Sequence, residues 1–465
     1  MAASTFDMHR TAEIAAFIAG FRYESIPESV RDYARCIIRD GTGALLAAAN
    51  PNYSTGRLIA EFVQEQGGTP QSSVVGFGFK TSPVMAALAN GTMGYACDVE
   101  PHHPEAILHP VAVMIPTALA LAEPAHASGR DFLAAVVLGC EVEYRVSMAL
   151  GPAALYALGF HPSAVAGCFG ATAAAAFLAK LDPAQTIRAL GLAACQASGM
   201  MAWESDPTEN ARPFQMGVAA RNGVTAALLA KRGFGGPDAV FDTGHTVFHA
   251  FSRNPRPELL TKDLGMKFDG VSELAIKPYS CVSFLHPGLD ALFDLLREQR
   301  IAASDIKRLT LYFPQAGQHC IDGNPLKSHC AQYILPVAAV AGALRVADIF
   351  VDQRIANPAV AALAKRVEIR NDPVLDELFP DFYATIVEIE TNDGSIHRKR
   401  NDIARGYPEN PLSATELAAK FRQLAGSVAT PDRVDALSAL LDRLDALDDV
   451  AALADALRTP ARAMA

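Results

Sequence analysis

The chain has 465 residues, half of them apolar, and a net charge of −10. That length exceeds what one apolar core usually organises, so two domains are expected, and moderate charge without a long polar tract argues against a mainly disordered chain. An acidic balance with no Lys/Arg block gives no footprint for nucleic acid or an anionic membrane, so an anionic ligand must be met by a local cationic pocket.

The opening MAASTFDMHRTAEIAAFIAGF places Asp7, Arg10 and Glu13 along a helical pattern, where an export signal needs a cationic start and an unbroken apolar run. From about 8 to 265 one helical pattern follows another, at 26–49, 82–98, 110–124, 129–150, 162–180, 184–199 and 215–232. Ala- and Gly-rich text such as GCFGATAAAAFLA (167–179) lets helix axes approach closely, which predicts a tightly packed, multi-layer helical body. Around 268 the character changes: LAIKPY (274–279), KRLTLYF (307–313), VEIR (367–370) and YATIVEIET (383–391) are β-branched or alternating, and the turn signal NDGS follows the last. The predicted fold is mostly α: a large helical domain over 1–268, completed by helical text at 403–465, and a smaller α+β domain over 269–402. The most apolar stretches, 111–122 and 331–344, fall short of the roughly 20 residues that cross a bilayer. The 8 cysteines stand singly without a CxxC pair and read as reduced thiols, so a soluble cytoplasmic protein is expected, with no membrane or nucleic-acid partner.

The densest polar text is CDVEPHHPEAILHP (97–110), which gathers Asp98, Glu100, His102, His103, Glu105 and His109 at the end of an apolar helix. Imidazoles titrate near neutral pH and carboxylates orient them, which suits acid–base chemistry. Metal ligation and solvated helix caps are the other readings, though the HExxH spacing that puts two ligands on one helical face is absent. His161, before Pro162, is pushed to extended geometry at a helix start, where it either caps the helix or helps to bind a carboxylate. Arg212 stands just before a small-residue helix; its fork suits a carboxylate, or a salt bridge to Glu204, Asp206 or Glu209. Lys277 follows LAI at the end of an expected buried strand, where desolvation and a nearby carboxylate pull its pKa in opposite directions; the alternative is a solvated surface lysine. His319 lies beyond a strand of the smaller domain, placed to close over a cleft. GFGFK (76–80) matches neither a dinucleotide loop nor a Walker A pattern, and no GxSxG elbow is present.

Five segments in order, NGTMGYACDVEPHHPEAILHP (90–110), GFHPSAVAGCFGATAAAA (159–176), ARPFQMGVAARNG (211–223), LAIKPYSCVSFLHP (274–287) and FRQLAGSV (421–428), resemble the MmgE/PrpD family over nearly the whole chain. The resemblance implies a helical domain with a smaller lid domain, a homodimer, a cleft active site, and no metal or organic cofactor. It also implies Asp98, His109, His161 and Lys277 as catalytic residues; on their own chemistry and position, His103, Arg212 and His319 are expected to bind substrate. HPEAILH is especially similar to the fungal aconitate decarboxylases of the family. Where the decarboxylases have a second lysine this chain has Arg212, and where the animal enzyme has a tyrosine it has Gln318 or His319. A lysine can deliver a proton and an arginine cannot, so position 212 is expected to bind rather than to protonate. The expected activity is that of a lyase that decarboxylates or dehydrates an aconitate- or citrate-like acid. A dicarboxylate epimerase and a non-catalytic binding protein of the same fold are the alternatives.

Overall fold

The computed structural model describes residues 9–350, 357–379 and 382–462; Asp7 lies outside them. Among the described residues the fold is mostly α, with one four-stranded sheet and one two-stranded sheet. Most of the expected helices form, with boundaries set by local chemistry. Pro83–Tyr95, Pro110–Ala125, Pro162–Leu178 and Pro183–Ala194 all place proline in the first turn, where its missing N–H costs nothing. The helix expected over 215–232 begins earlier, at Ala211, because the Asp206 carboxylate accepts hydrogen bonds from the Asn210 and Ala211 N–H groups. Arg212 is therefore inside the first turn rather than before it.

The small residues determine how these helices meet. A Cβ on Gly217 would stand 2.3 Å from the Leu88 carbonyl oxygen, and one on Gly91 would stand 2.8 Å from the Gly217 Cα. Only glycine permits this crossing of Pro83–Tyr95 with Ala211–Lys231, and it brings the end of the first helix beside the start of the second. GFGFK forms a tight turn between two-residue strands, Ser72–Ser73 and Lys80–Thr81. Its Gly76 and Gly78 amides bond to the Leu457 and Arg458 carbonyls, which docks the C-terminal helix.

The four-stranded sheet runs Val367–Arg370, Ile306–Tyr312, Thr385–Thr391, Ile396–Asn401; the first pair is parallel and the others antiparallel. The last strand is absent from the sequence expectation, because its polar IHRKRN carries little β signal at an exposed edge. LAIKPY does not form a strand: Ala275 makes only an isolated bridge to His102, and the Ile276 N–H reaches the Gly406 carbonyl. One apolar core takes in residues from Ile14 to Ile276 and from Phe421 to Leu457, with Val346; a second takes in residues from Tyr279 to Ile389. Lys277 stands where one gives way to the other. Among the described residues no helix is long and apolar enough to cross a membrane.

Candidate active site

After Tyr95 the chain leaves its helix through a loop held by its carbonyls. The Cys97 carbonyl accepts from Ser280 Oγ, the Asp98 carbonyl from Lys277 Nζ, and the Val99 carbonyl from Lys420 Nζ at 2.7 Å. Asp98 has φ +48°, a left-handed conformation that is costly for a residue with a Cβ. The three donors hold it there and aim its carboxylate inward.

That carboxylate is gripped from two sides. Lys277 Nζ lies 2.5 Å from Oδ1 and Arg212 Nη2 lies 3.2 Å from Oδ2, all three side chains being buried. Burial alone would raise the Asp98 pKa, but the Arg212 guanidinium and then the Lys277 ammonium outweigh it and hold it well below the usual carboxylate range. Arg212 lies over the Tyr95 ring at 4.7 Å and the Trp203 ring at 5.4 Å. Its partner is Asp98, not the nearby acids of its own segment, and its Nε atom is buried without a partner. Two cations face one carboxylate, leaving a buried excess of positive charge that suits an anionic ligand.

Beside them, His109 caps the helix Pro110–Ala125 and its Nδ1 lies 2.7 Å from Glu100 Oε1. Burial raises Glu100 to about 7, opposed by Lys277, while burial and Lys277 hold His109 well below its ordinary value. Burial thus favours the uncharged form of both partners. The His109 N–H is bonded to Ser163 Oγ at 3.0 Å, which ties this helix start to the next His-Pro start, His161–Pro162. His161 is extended, with φ −85° and ψ 111°, as the following proline requires. Its ring lies 6.1 Å from Tyr95 and 6.0 Å from Trp203, and its Nδ1 is buried without a partner. Burial, then His109 and Arg212, keep it neutral.

Asp98, His109, His161, Arg212 and Lys277 thus converge, and two other sequence candidates do not join them. His103 spends both nitrogens on backbone, accepting from the Ala106 N–H at Nδ1 and meeting the Asp269 carbonyl at Nε2, and it stacks on Tyr144. His319 is exposed, with Nε2 3.3 Å from Cys320 Sγ, and Gln318 turns back to the Phe313 carbonyl. An imidazole from beyond Lys277 that does approach is His329, 6.1 Å from Trp203 and 8% exposed. Glu100 was visible in the sequence as one of a cluster; Tyr95, Trp203, Lys420 and His329 had no local signal. Among the described residues no group of three or more His, Cys, Asp or Glu is arranged to hold a metal ion.

Residues 12–260 match the MmgE/PrpD N-terminal domain and residues 279–446 the MmgE/PrpD C-terminal domain. The chain is 28% identical to a cis-aconitate decarboxylase of Aspergillus terreus (strain NIH 2624 / FGSC A1156) over 478 residues, covering 97% of this chain and 96% of the relative. It is 30% identical to the Homo sapiens cis-aconitate decarboxylase over 395 residues, covering 81% and 80%. The Mus musculus cis-aconitate decarboxylase is 26% identical, covering 97% and 93%. Matched along both of its halves by the family's N- and C-terminal domains, on a mostly helical fold, this chain belongs to the MmgE/PrpD family.

Proposed function

We propose that the chain is a cofactor-independent lyase that decarboxylates or dehydrates a small polycarboxylate, with cis-aconitate the leading substrate. The observation that carries this reading is the buried excess cation at Asp98, Arg212 and Lys277, set against imidazoles that burial keeps neutral. The names of the relatives support the choice of acid.

In this reading Arg212 and Lys277 bind substrate carboxylates, and Asp98 holds the two cations in register. Loss of CO2 from one arm leaves the electron pair of the broken C–C bond on carbon, from where it spreads into a neighbouring carboxylate. Fixed cations in a water-poor site stabilise that charge by several kcal/mol. His109 Nε2–H gives its proton to the carbon while Glu100 passes its own proton to Nδ1, so the imidazole never carries a net charge. Dehydration uses the same groups to take a proton from carbon as hydroxide leaves. His161, beside Trp203, orients the acid; His103 serves the loop that carries His109. The two-domain division, 1–268 completed by 403–465 against 269–402, belongs to this proposal and is supported by the two apolar cores. So do a homodimer and a cytoplasmic location, of which the 8 unpaired thiols bear on the second alone.

Incubation in D2O with cis-aconitate, 2-methylcitrate, citrate and iminodisuccinate, followed by NMR, tests the reading. Conversion of cis-aconitate with CO2 release and one deuterium gained at carbon is expected. Exchange with inversion and nothing lost would replace the lyase by an epimerase. If Lys277→Ala and His161→Ala turn over substrate like the wild type, the site assignment fails.

A further inference from the structure

The smaller body carries a chain of three side chains that the mechanism above leaves unused. Ser328 is fully buried, and its hydroxyl donates to Glu209 Oε2 across the boundary between the two bodies. Glu209 itself has φ +55°, so the backbone there is held in a strained conformation that keeps its carboxylate on Ser328. The same hydroxyl lies 2.9 Å from His329 Nδ1. A serine has one proton to give, and it goes to the carboxylate; the hydroxyl must therefore accept from Nδ1–H. That assigns the tautomer and leaves a lone pair on Nε2, at the ring edge away from Ser328.

The charged and titratable groups that act on His329 are Arg212, Asp98, Lys277 and His109, and Glu209 reaches it through the serine. With the cations dominant, burial and Arg212 hold the resting imidazole neutral. A polycarboxylate seated on Arg212 and Lys277 reverses that balance, since negative charge nearby favours imidazolium.

Resting on the polycarboxylate reading of the site, we propose that His329 is a substrate-contacting residue, held by Ser328 and Glu209 with Nε2 unprotonated at rest, and takes up a proton as the acid binds. The step is a bare protonation: a water proton joins the Nε2 lone pair, and the imidazolium N–H then hydrogen-bonds a substrate carboxylate. Glu209 and Ser328 are positioning residues.

Two measurements test this. Ring ¹⁵N NMR of the unliganded protein should show one buried histidine as the Nδ1–H tautomer with Nδ1 bonded, and Ser328→Ala and Glu209→Gln should each shift it toward Nε2–H. An Nε2–H resting tautomer that neither variant alters overturns the relay. Titration with propane-1,2,3-tricarboxylate at pH 7, in buffers of different ionisation enthalpy, should show the wild type taking up close to one proton more than His329→Gln, whose remaining uptake belongs to Glu100. Equal uptake by both proteins overturns the proposal. If the wild type does not bind the tricarboxylate at all, the polycarboxylate reading falls and proton uptake with it, while the tautomer result still decides the relay. Ser328→Ala, a loss of one buried oxygen, serves if His329→Gln does not fold.

Discussion

The two walls of the site are held in different ways. On the helical side the loop 97–99 is pinned through three successive carbonyls, by Ser280, Lys277 and Lys420, so the Asp98 side chain is aimed by a fixed backbone. On the other side the His329 ring is aimed through a hydroxyl and a carboxylate. The clamp fixes a backbone through three donors, whereas the relay fixes the orientation of one ring and answers to the charge beside it. The difference separates a wall built to hold counter-charges from a wall able to change its own.

Asp98→Asn should have the largest effect, because it leaves Lys277 and Arg212 buried without their shared counter-charge. A loss of about 3–5 kcal/mol in urea unfolding is expected, with activity below detection. A loss under 1 kcal/mol would mean that the loop, not the ion group, holds the wall. Glu100→Gln keeps the shape but cannot pass a proton to His109; kcat should fall about 100- to 1,000-fold with KM little changed. Wild-type activity should decline as pH rises through about 7, where Glu100 ionises, and the variant should lack that limb. Lys420→Met removes the backbone donor that comes from furthest along the chain and leaves Asp40, raised to about 6 by burial, able to protonate. Roughly a 10-fold loss in kcat with stability down by about 1–3 kcal/mol would follow from a slackened loop. An unchanged kcat would show that two anchors are enough.

Two smaller effects concern buried groups with no part in the chemistry. Glu143 is fully buried with neither carboxylate oxygen partnered, and burial raises its pKa. A raised carboxyl supports stability below its unfolded pKa and loses that support as pH rises. Glu143→Met should therefore stabilise the protein by about 1–3 kcal/mol at pH 8 and by less at pH 4.5. His103 is lowered by burial to about 4, the opposite sign: its contribution is complete above the ordinary histidine value and is lost as pH falls toward 4. His103→Gln should flatten the decline in Tm between pH 6.5 and 4 by about one proton's worth, read from thermal melts across that range.

Much of the helical body was legible because its signals are local. Proline in the first turn, alanine and glycine at helical spacing, and a histidine before proline all act within a few residues. The sheet was legible where β-branched residues face a core, and illegible at Ile396–Asn401, where a polar edge strand owes its pairing to Thr385–Thr391 alone. LAIKPY misled because its apolar residues serve the junction between the two cores rather than a ladder. In the site, Asp98 and Lys277 each drew notice, but that they touch across 179 positions is a product of folding. His319 and His329 illustrate the limit. Both are single histidines in loop text ten residues apart, and only the docking of 324–331 onto Trp203 buries one and exposes the other. Lys420 sits in an amphipathic helix as a surface lysine would, and its burial is decided by the helix it lies against.

Trp203 is the single tryptophan in the chain, and it lies between Arg212, His161 and His329. Its indole emission therefore reports on this one location with no background from elsewhere. An imidazolium quenches a neighbouring indole far more than a neutral imidazole does, and an anion drawn to the guanidinium changes the field along the ring. Intensity and emission maximum would then register two separate events, protonation and ligand arrival, in the unlabelled protein and on the timescale of a stopped-flow mixer.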